Sequence, residues 1–237
     1  MIDRRSLFAA ATLIGLSTAA RAQTSEDVAA KRLREDWPWL GRYAEDNRRR
    51  VAAGERAGIV FLGDSITEGW IGKRPAFFTT GRINRGIGGQ TTPQMLVRTM
   101  ADVVALRPRA LHLMAGTNDI AGNTGPMTQA DTRNNLTAIC QIARANGITV
   151  LLASVPPAAN FPWRPGLDTV TPIRAINAWL RDHARPLGAR FVDYTPALAT
   201  ADGAMKPGYA TDGVHPTEAG YDAMAGILQP ILASMHL

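Results

Sequence analysis

At 237 residues the chain is long enough for one domain with a sizeable core and too short for a comfortable two. It is 46% hydrophobic and 19% charged, which excludes a disordered or fibrous protein. The formal charge of +6 falls to +4 once residues 1–22 are set aside, with 23 basic against 19 acidic side chains, and so small a surplus calls for no nucleic-acid partner.

The first stretch, "MIDRRSLFAAATLIGLSTAARAQ", combines a charged start, an apolar run from Leu7 to Ala20 and an A-x-A site at Ala20-Arg21-Ala22. The run is too short and too rich in small residues to span a membrane comfortably. Residues 1–22 are therefore expected to be an export signal cut after Ala22. Arg4-Arg5 ahead of Leu7-Phe8 resembles the twin-arginine type, with a general secretory signal as the alternative. The mature chain, residues 23–237, is expected to be one domain, periplasmic or secreted, without a stable membrane span. Cys140 is the only cysteine, so an internal disulfide and a cysteine-based zinc site are excluded. Its helical spacing from Leu136 and Ile139 reads as a buried small hydrophobe.

Beyond the signal, a helical pattern surrounds Pro38, which is expected to divide or kink it. "GIVFLGD" has strand length. "GRINRGIGG" is a weaker strand running into glycines. "TTPQMLVRTMADVVAL" is a helix with Thr92 as its expected N-cap and Pro93 at its first position. "RALHLMAG" and "ITVLLASV" are strands separated by the amphipathic helix "PMTQADTRNNLTAICQIARANG". The loop "PPAANFPWRPG", the helix "VTPIRAINAWLRDHARPLG", the strand "ARFVDY" and the helix "PTEAGYDAMAGILQPILASM" complete the chain. Five alternations of strand and helix predict an α/β fold, a parallel sheet covered on both faces. Ligands of such sheets bind beyond the carboxyl ends of the strands, so polar residues just after strands are the ones to weigh.

Four clusters sit at such places. Ser65, in "GDSIT", either caps a helix or serves as a nucleophile, and the second role needs a base and oxyanion donors. Position 67 is Thr, so this is not the G-x-S-x-G elbow. Gly88-Gly89 form a tight turn or let a backbone N–H of Gly89 approach a ligand; a phosphate loop is excluded because G-K-[ST] does not follow. Asn118, in "GTND", makes an Asx-turn or offers an amide N–H. In "DGVHPT", Asp212 lies three residues before His215, close enough to hold one imidazole tautomer and leave the far nitrogen for Ser65. His112, His183 and His236 have weaker settings.

Taken together and in this order, "GDSIT", "GIGGQTT", "GTND" and "DGVHPT" resemble the SGNH hydrolases of the GDSL esterase and lipase superfamily. The form "NRGIGGQTT" is most similar to the branch related to platelet-activating-factor acetylhydrolase subunits. The resemblance runs from about Asp36 to the C-terminus. It implies a three-layer α/β/α domain on a five-stranded, mostly parallel, flavodoxin-like sheet, without metal or cofactor. Ser65 is then the nucleophile, His215 the base, Asp212 its orienting acid, and Ser65, Gly89 and Asn118 the oxyanion donors. Asp64, Trp70, Phe161 and Trp163 are the candidate substrate-side residues, with Asp64 read as structural or positioning. A small-molecule or carbohydrate ester is the expected substrate, with short acyl groups favoured because no long apolar lid insertion is visible. Longer acyl chains, as for a lysophospholipase or thioesterase, and a non-catalytic carbohydrate-binding module on the same fold are the alternatives. Oligomeric state is not readable from the chain.

Overall fold

A computed structural model describes residues 30–79 and 81–237. The expected export signal, residues 1–22, lies outside them. Two compact units divide the chain, one ending at Gly41 and one spanning Arg42–Leu237. In the first, residues 30–35 are helical, and the Asp36 carboxylate then accepts from Leu40 and Gly41 N–H at 2.6 and 2.7 Å. The helix has ended before Pro38, where the ring would block its continuation.

The second unit holds five parallel strands: β1 Ile59–Gly63, β2 Arg82–Gly86, β3 Ala110–Met114, β4 Thr149–Ala153 and β5 Ala189–Val192. Their order, β2-β1-β3-β4-β5, is the flavodoxin-like one. Among the described residues eight α-helices accompany them: α1 Ala44–Ala52, α2 Ser65–Lys73, α3 Thr92–Asp102, α4 Thr117–Ala121, α5 Gln129–Ala145, α6 Val170–His183, α7 Thr195–Leu198 and α8 Glu218–Ser234. The expected α/β fold is borne out. Every residue of β1 and β3 is buried, which explains why their sequences lack alternation: β1 is apolar throughout, and β3 is apolar but for His112.

An aromatic cluster fills the space between the sheet and helices α2 and α8. Trp70 of α2 stacks on Phe77 and Tyr221, with ring centroids 4.8 and 5.4 Å apart, and meets Phe61 of β1 edge-on at 5.9 Å. Tyr221 donates its hydroxyl to Ile66 C=O at 2.8 Å, which ties α8 to the first turn of α2. Cys140 is buried, and burial pushes its thiol up to about 12, as suits an inert core residue.

The cap of α3 lies one residue earlier than the sequence pattern predicts. Thr91 is the N-cap, because Gln94, three residues on, completes a capping box with it. Thr92 instead opens the helix and gives its hydroxyl to the buried Asp119 carboxylate.

Candidate active site

The strand order reverses between β1 and β3, so the chain leaves these neighbours in opposite directions and opens a crevice at their carboxyl ends. Asp64 makes the turn out of β1. Its backbone is extended, and its carboxylate caps α2 by accepting Ile66 N–H at 2.9 Å. Ser65 thereby becomes the first residue of α2, with an N–H that has no acceptor inside the helix. The turn is tight because Gly63 has no side chain: a Cβ there would stand 2.1 Å from Thr67 Oγ1. Close packing at this turn thus comes from the strand side, and position 67 has no need of the glycine that an elbow would use.

Ser65 Oγ lies 2.9 Å from His215 Nε2, and His215 Nδ1 lies 2.7 Å from Asp212 Oδ2. Asp212 also accepts the backbone N–H of His215 at 2.8 Å and of Val214 at 3.0 Å. One carboxylate therefore shapes the loop and orients the ring. Partial burial alone would raise its pKa, but the hydrogen bonds from His215 and Val214 prevail and hold it below the usual carboxylate range. An ionised carboxylate only accepts, so Nδ1 of His215 carries a proton and Nε2 of the neutral ring is free to take one from Ser65.

The loop after β2 closes over the same place. Ile87 N–H donates to Gly63 C=O at 3.1 Å, and Gly89 takes the left-handed conformation with φ +75°. A Cβ on Gly88 would lie 3.7 Å from Ser65 Cβ, so the glycine loop passes directly beside the serine. Asn118, in the first turn of α4, is buried and donates its amide to Gln90 C=O at 3.0 Å. The structure thus brings Ser65, Gly89, Asn118, Asp212 and His215 together.

Two further residues brace this loop and were not expected from sequence. Glu68 of α2 accepts Gly88 N–H at 2.8 Å. Arg98 of α3, fully buried, donates to Gln90 Oε1 at 2.6 Å, to Gly63 C=O at 3.1 Å and to Asp102 at 2.8 Å. Only Glu68 had a signal in the sequence that helical geometry could have read. Glu68 is one helical turn beyond Ser65, whereas Arg98 with Asp102 shares the buried stripe of α3 with Met95.

Three of the four candidate substrate-side residues do not reach the rim. Trp70 is fully buried in the aromatic cluster. Phe161 is fully buried beneath Trp163, their rings stacked at 5.1 Å and 7°. Asp64 is buried at the helix cap, and burial pushes its carboxyl up to about 6. Trp163 is 38% exposed and its ring centroid lies 6.0 Å from that of His215. Among the other histidines, His112 is buried against the Tyr194 hydroxyl at 2.9 Å, and burial pushes its pKa down to about 3.

A family model described as GDSL-like Lipase/Acylhydrolase matches residues 61–223, which hold all five of these residues. The chain belongs to that family. As a GDSL-like acylhydrolase it is an enzyme of the carboxylic-ester hydrolase class. A crystal structure of a candidate acylhydrolase from Bacteroides fragilis NCTC 9343 superposes with a TM-score of 0.79 at 40% identity, over 85% of this chain and 99% of that one. A candidate platelet activating factor from Streptococcus pneumonia superposes at 0.67 with 28% identity, over 86% and 99%. That likeness agrees with the branch to which the "NRGIGGQTT" form points. Among curated proteins, the uncharacterised lipoprotein YqeF of Bacillus subtilis (strain 168) is 36% identical over 78 residues, so the match spans 32% of this GDSL-like chain and 32% of the relative. Among the described residues, no helix is long and apolar enough to cross a membrane.

Proposed function

We propose that the protein is an exported serine esterase that hydrolyses short acyl esters, acetyl above all, including acetyl groups carried by carbohydrates. One observation carries this reading: the unbroken chain from Ser65 Oγ to His215 Nε2 at 2.9 Å and from His215 Nδ1 to Asp212 at 2.7 Å. Ser65 Oγ attacks the acyl carbon while His215 takes its proton. The Ser65 and Gly89 N–H groups and the Asn118 amide receive the charge that develops on the carbonyl oxygen. His215 returns the proton to the departing alcohol, and water, activated by the same base, then clears the acyl-enzyme. Asp212 keeps the ring in the required tautomer. The exposed face of Trp163 beside His215 supports a sugar-borne ester, because an aromatic face can stack on a sugar ring.

The test is labelling by a fluorophosphonate probe together with Ser65→Ala. The wild type is expected to react at Ser65 and to hydrolyse p-nitrophenyl acetate, and Ser65→Ala to lose both. A Ser65→Ala protein with full esterase activity would overturn the scheme. An unlabelled, inactive wild type would favour the binding-module alternative.

A further inference from the structure

We infer that Asn123 is a positioning residue which, with Trp163 and alongside the Gln90 carbonyl, holds the NH2 end of the Asn118 amide toward the reacting carbonyl. This rests on the proposed role of Asn118 as an oxyanion donor. The two ends of an asparagine amide are nearly equal in shape, yet only the NH2 end can hold an oxyanion. Burial alone does not choose between them, so the choice falls to the neighbours.

Those neighbours form a directed chain. Asn118 Nδ2 donates to Gln90 C=O at 3.0 Å, and Asn118 Oδ1 accepts from Asn123 Nδ2 at 2.7 Å. The Asn123 amide could by itself turn either way. Its Oδ1, however, accepts from Trp163 Nε1 at 3.2 Å, and an indole nitrogen only donates. Asn123 must therefore show oxygen to Trp163 and NH2 to Asn118. Asn118 must then show oxygen to Asn123 and NH2 to Gln90 and the catalytic crevice. Reversing Asn118 alone would set oxygen against oxygen at Gln90 and NH2 against NH2 at Asn123. The backbone holds the pair in register. Gly122 ends α4 in the left-handed conformation with φ +68°, and Asn123 N–H returns to Asn118 C=O at 3.1 Å. A weaker contact of Asn123 Nδ2 to Gly89 C=O, at 3.4 Å, reaches the second oxyanion element.

The chain starts at the rim. Trp163 is partly exposed, stacked on Phe161 and close to His215, so the indole best placed to touch a substrate also fixes the polarity of the oxyanion hole. The loop after β4 and the loop after β3 are thereby coupled.

Asn123→Asp tests this with almost no change of shape. A carboxylate still accepts from Trp163 but cannot donate to Asn118, whose NH2 then turns toward it and away from the crevice. For p-nitrophenyl acetate, kcat is expected to fall about 10²–10³-fold, the loss typical of a missing oxyanion donor, with KM within about twofold. The double variant Asn118→Ala/Asn123→Asp should be no slower than Asn118→Ala alone, because both remove one interaction. Trp163→Phe keeps an aromatic ring, deletes the indole N–H and should lower kcat on the order of tenfold. A thermal unfolding midpoint close to wild type in these variants separates the effect from general loosening. Asn123→Asp with kcat near wild type, or a double variant whose losses multiply, overturns the inference. If Asn123→Asp does not fold, an unchanged kcat in Trp163→Phe overturns it instead. If Asn118→Ala itself keeps full kcat, the oxyanion role of Asn118 fails and takes this inference with it; if only Asn123→Asp and Trp163→Phe are silent, the catalytic reading stands and this inference alone falls.

Discussion

The carboxyl of Asp64 is buried at the cap of α2, beside the nucleophile. Burial raises its pKa to about 6; the Ile66 N–H and His215 pull it back, and Asp119 adds to the rise. The sign of the consequence follows from linkage. The folded carboxyl holds its proton more tightly than the unfolded one, with a reference value of 3.8, so its contribution is full at acid pH and is lost as pH rises through about 6. A shift of that size corresponds to about 3 kcal/mol. Asn at this position keeps an oxygen for Ile66 N–H but does not titrate. Urea unfolding of wild type and Asp64→Asn should therefore diverge with pH, the variant gaining about 2 kcal/mol relative to wild type between pH 4 and pH 8. Parallel stability curves would show that Asp64 carries no such shift.

Helices α2 and α3 explain what was readable beforehand and what was not. Strands β1, β3 and β4 announce themselves as apolar runs, and the motif clusters mark the strand ends, because chemistry in this architecture is confined there. The side a helical residue faces is harder to read. Trp70, five positions after Ser65, lies about 140° around the helix from it and meets the sheet, whereas Glu68 lies within about 60° and meets the glycine loop. Closeness to Ser65 in sequence pointed to Trp70; helical geometry points to Glu68. Phe161 and Trp163 stand in a loop without any period, so nothing in the sequence distinguishes the buried ring from the exposed one. Arg98 was hidden for another reason: a charged side chain at a core position contradicts the usual pattern and makes sense only through its partners Gln90, Gly63 and Asp102. Arg98→Met should remove the brace between β1, α3 and the glycine loop and leave Asp102 buried without its cation. Expected is a loss of about 3–5 kcal/mol in chemical denaturation, with reduced kcat in the fraction that folds. A loss under about 1 kcal/mol would mean that the network contributes little.

For the whole molecule, the decisive property is how open the rim is. The loops after β1, β2 and β3 and the loop carrying Asp212 and His215 converge there, and the side chains of His215 and Asp212 remain 38% and 37% exposed. A cavity of about 830 Å³ lies elsewhere, along the outer edge of β2 between Tyr43, Glu68 and Arg85, and one of about 330 Å³ lies between α6 and the loop around Thr200; neither is lined by Ser65, His215 or Trp163. A long acyl chain gains rate only where apolar walls take its methylenes out of water, each worth about 0.8 kcal/mol when fully buried. Trp163 offers one aromatic face beside the triad and Phe161 lies sealed beneath it, which favours the proposed short acyl groups over long ones. Across p-nitrophenyl esters from acetate to palmitate, kcat/KM should therefore be highest at two to three carbons and decline beyond about four to six. Trp163→Ala should lower kcat/KM for an acetylated sugar more than for ethyl acetate, whose alcohol part has no ring to lay across the indole. A series that rises toward palmitate would instead assign the enzyme to long acyl chains and require an apolar track that the rim opens only when such a chain binds.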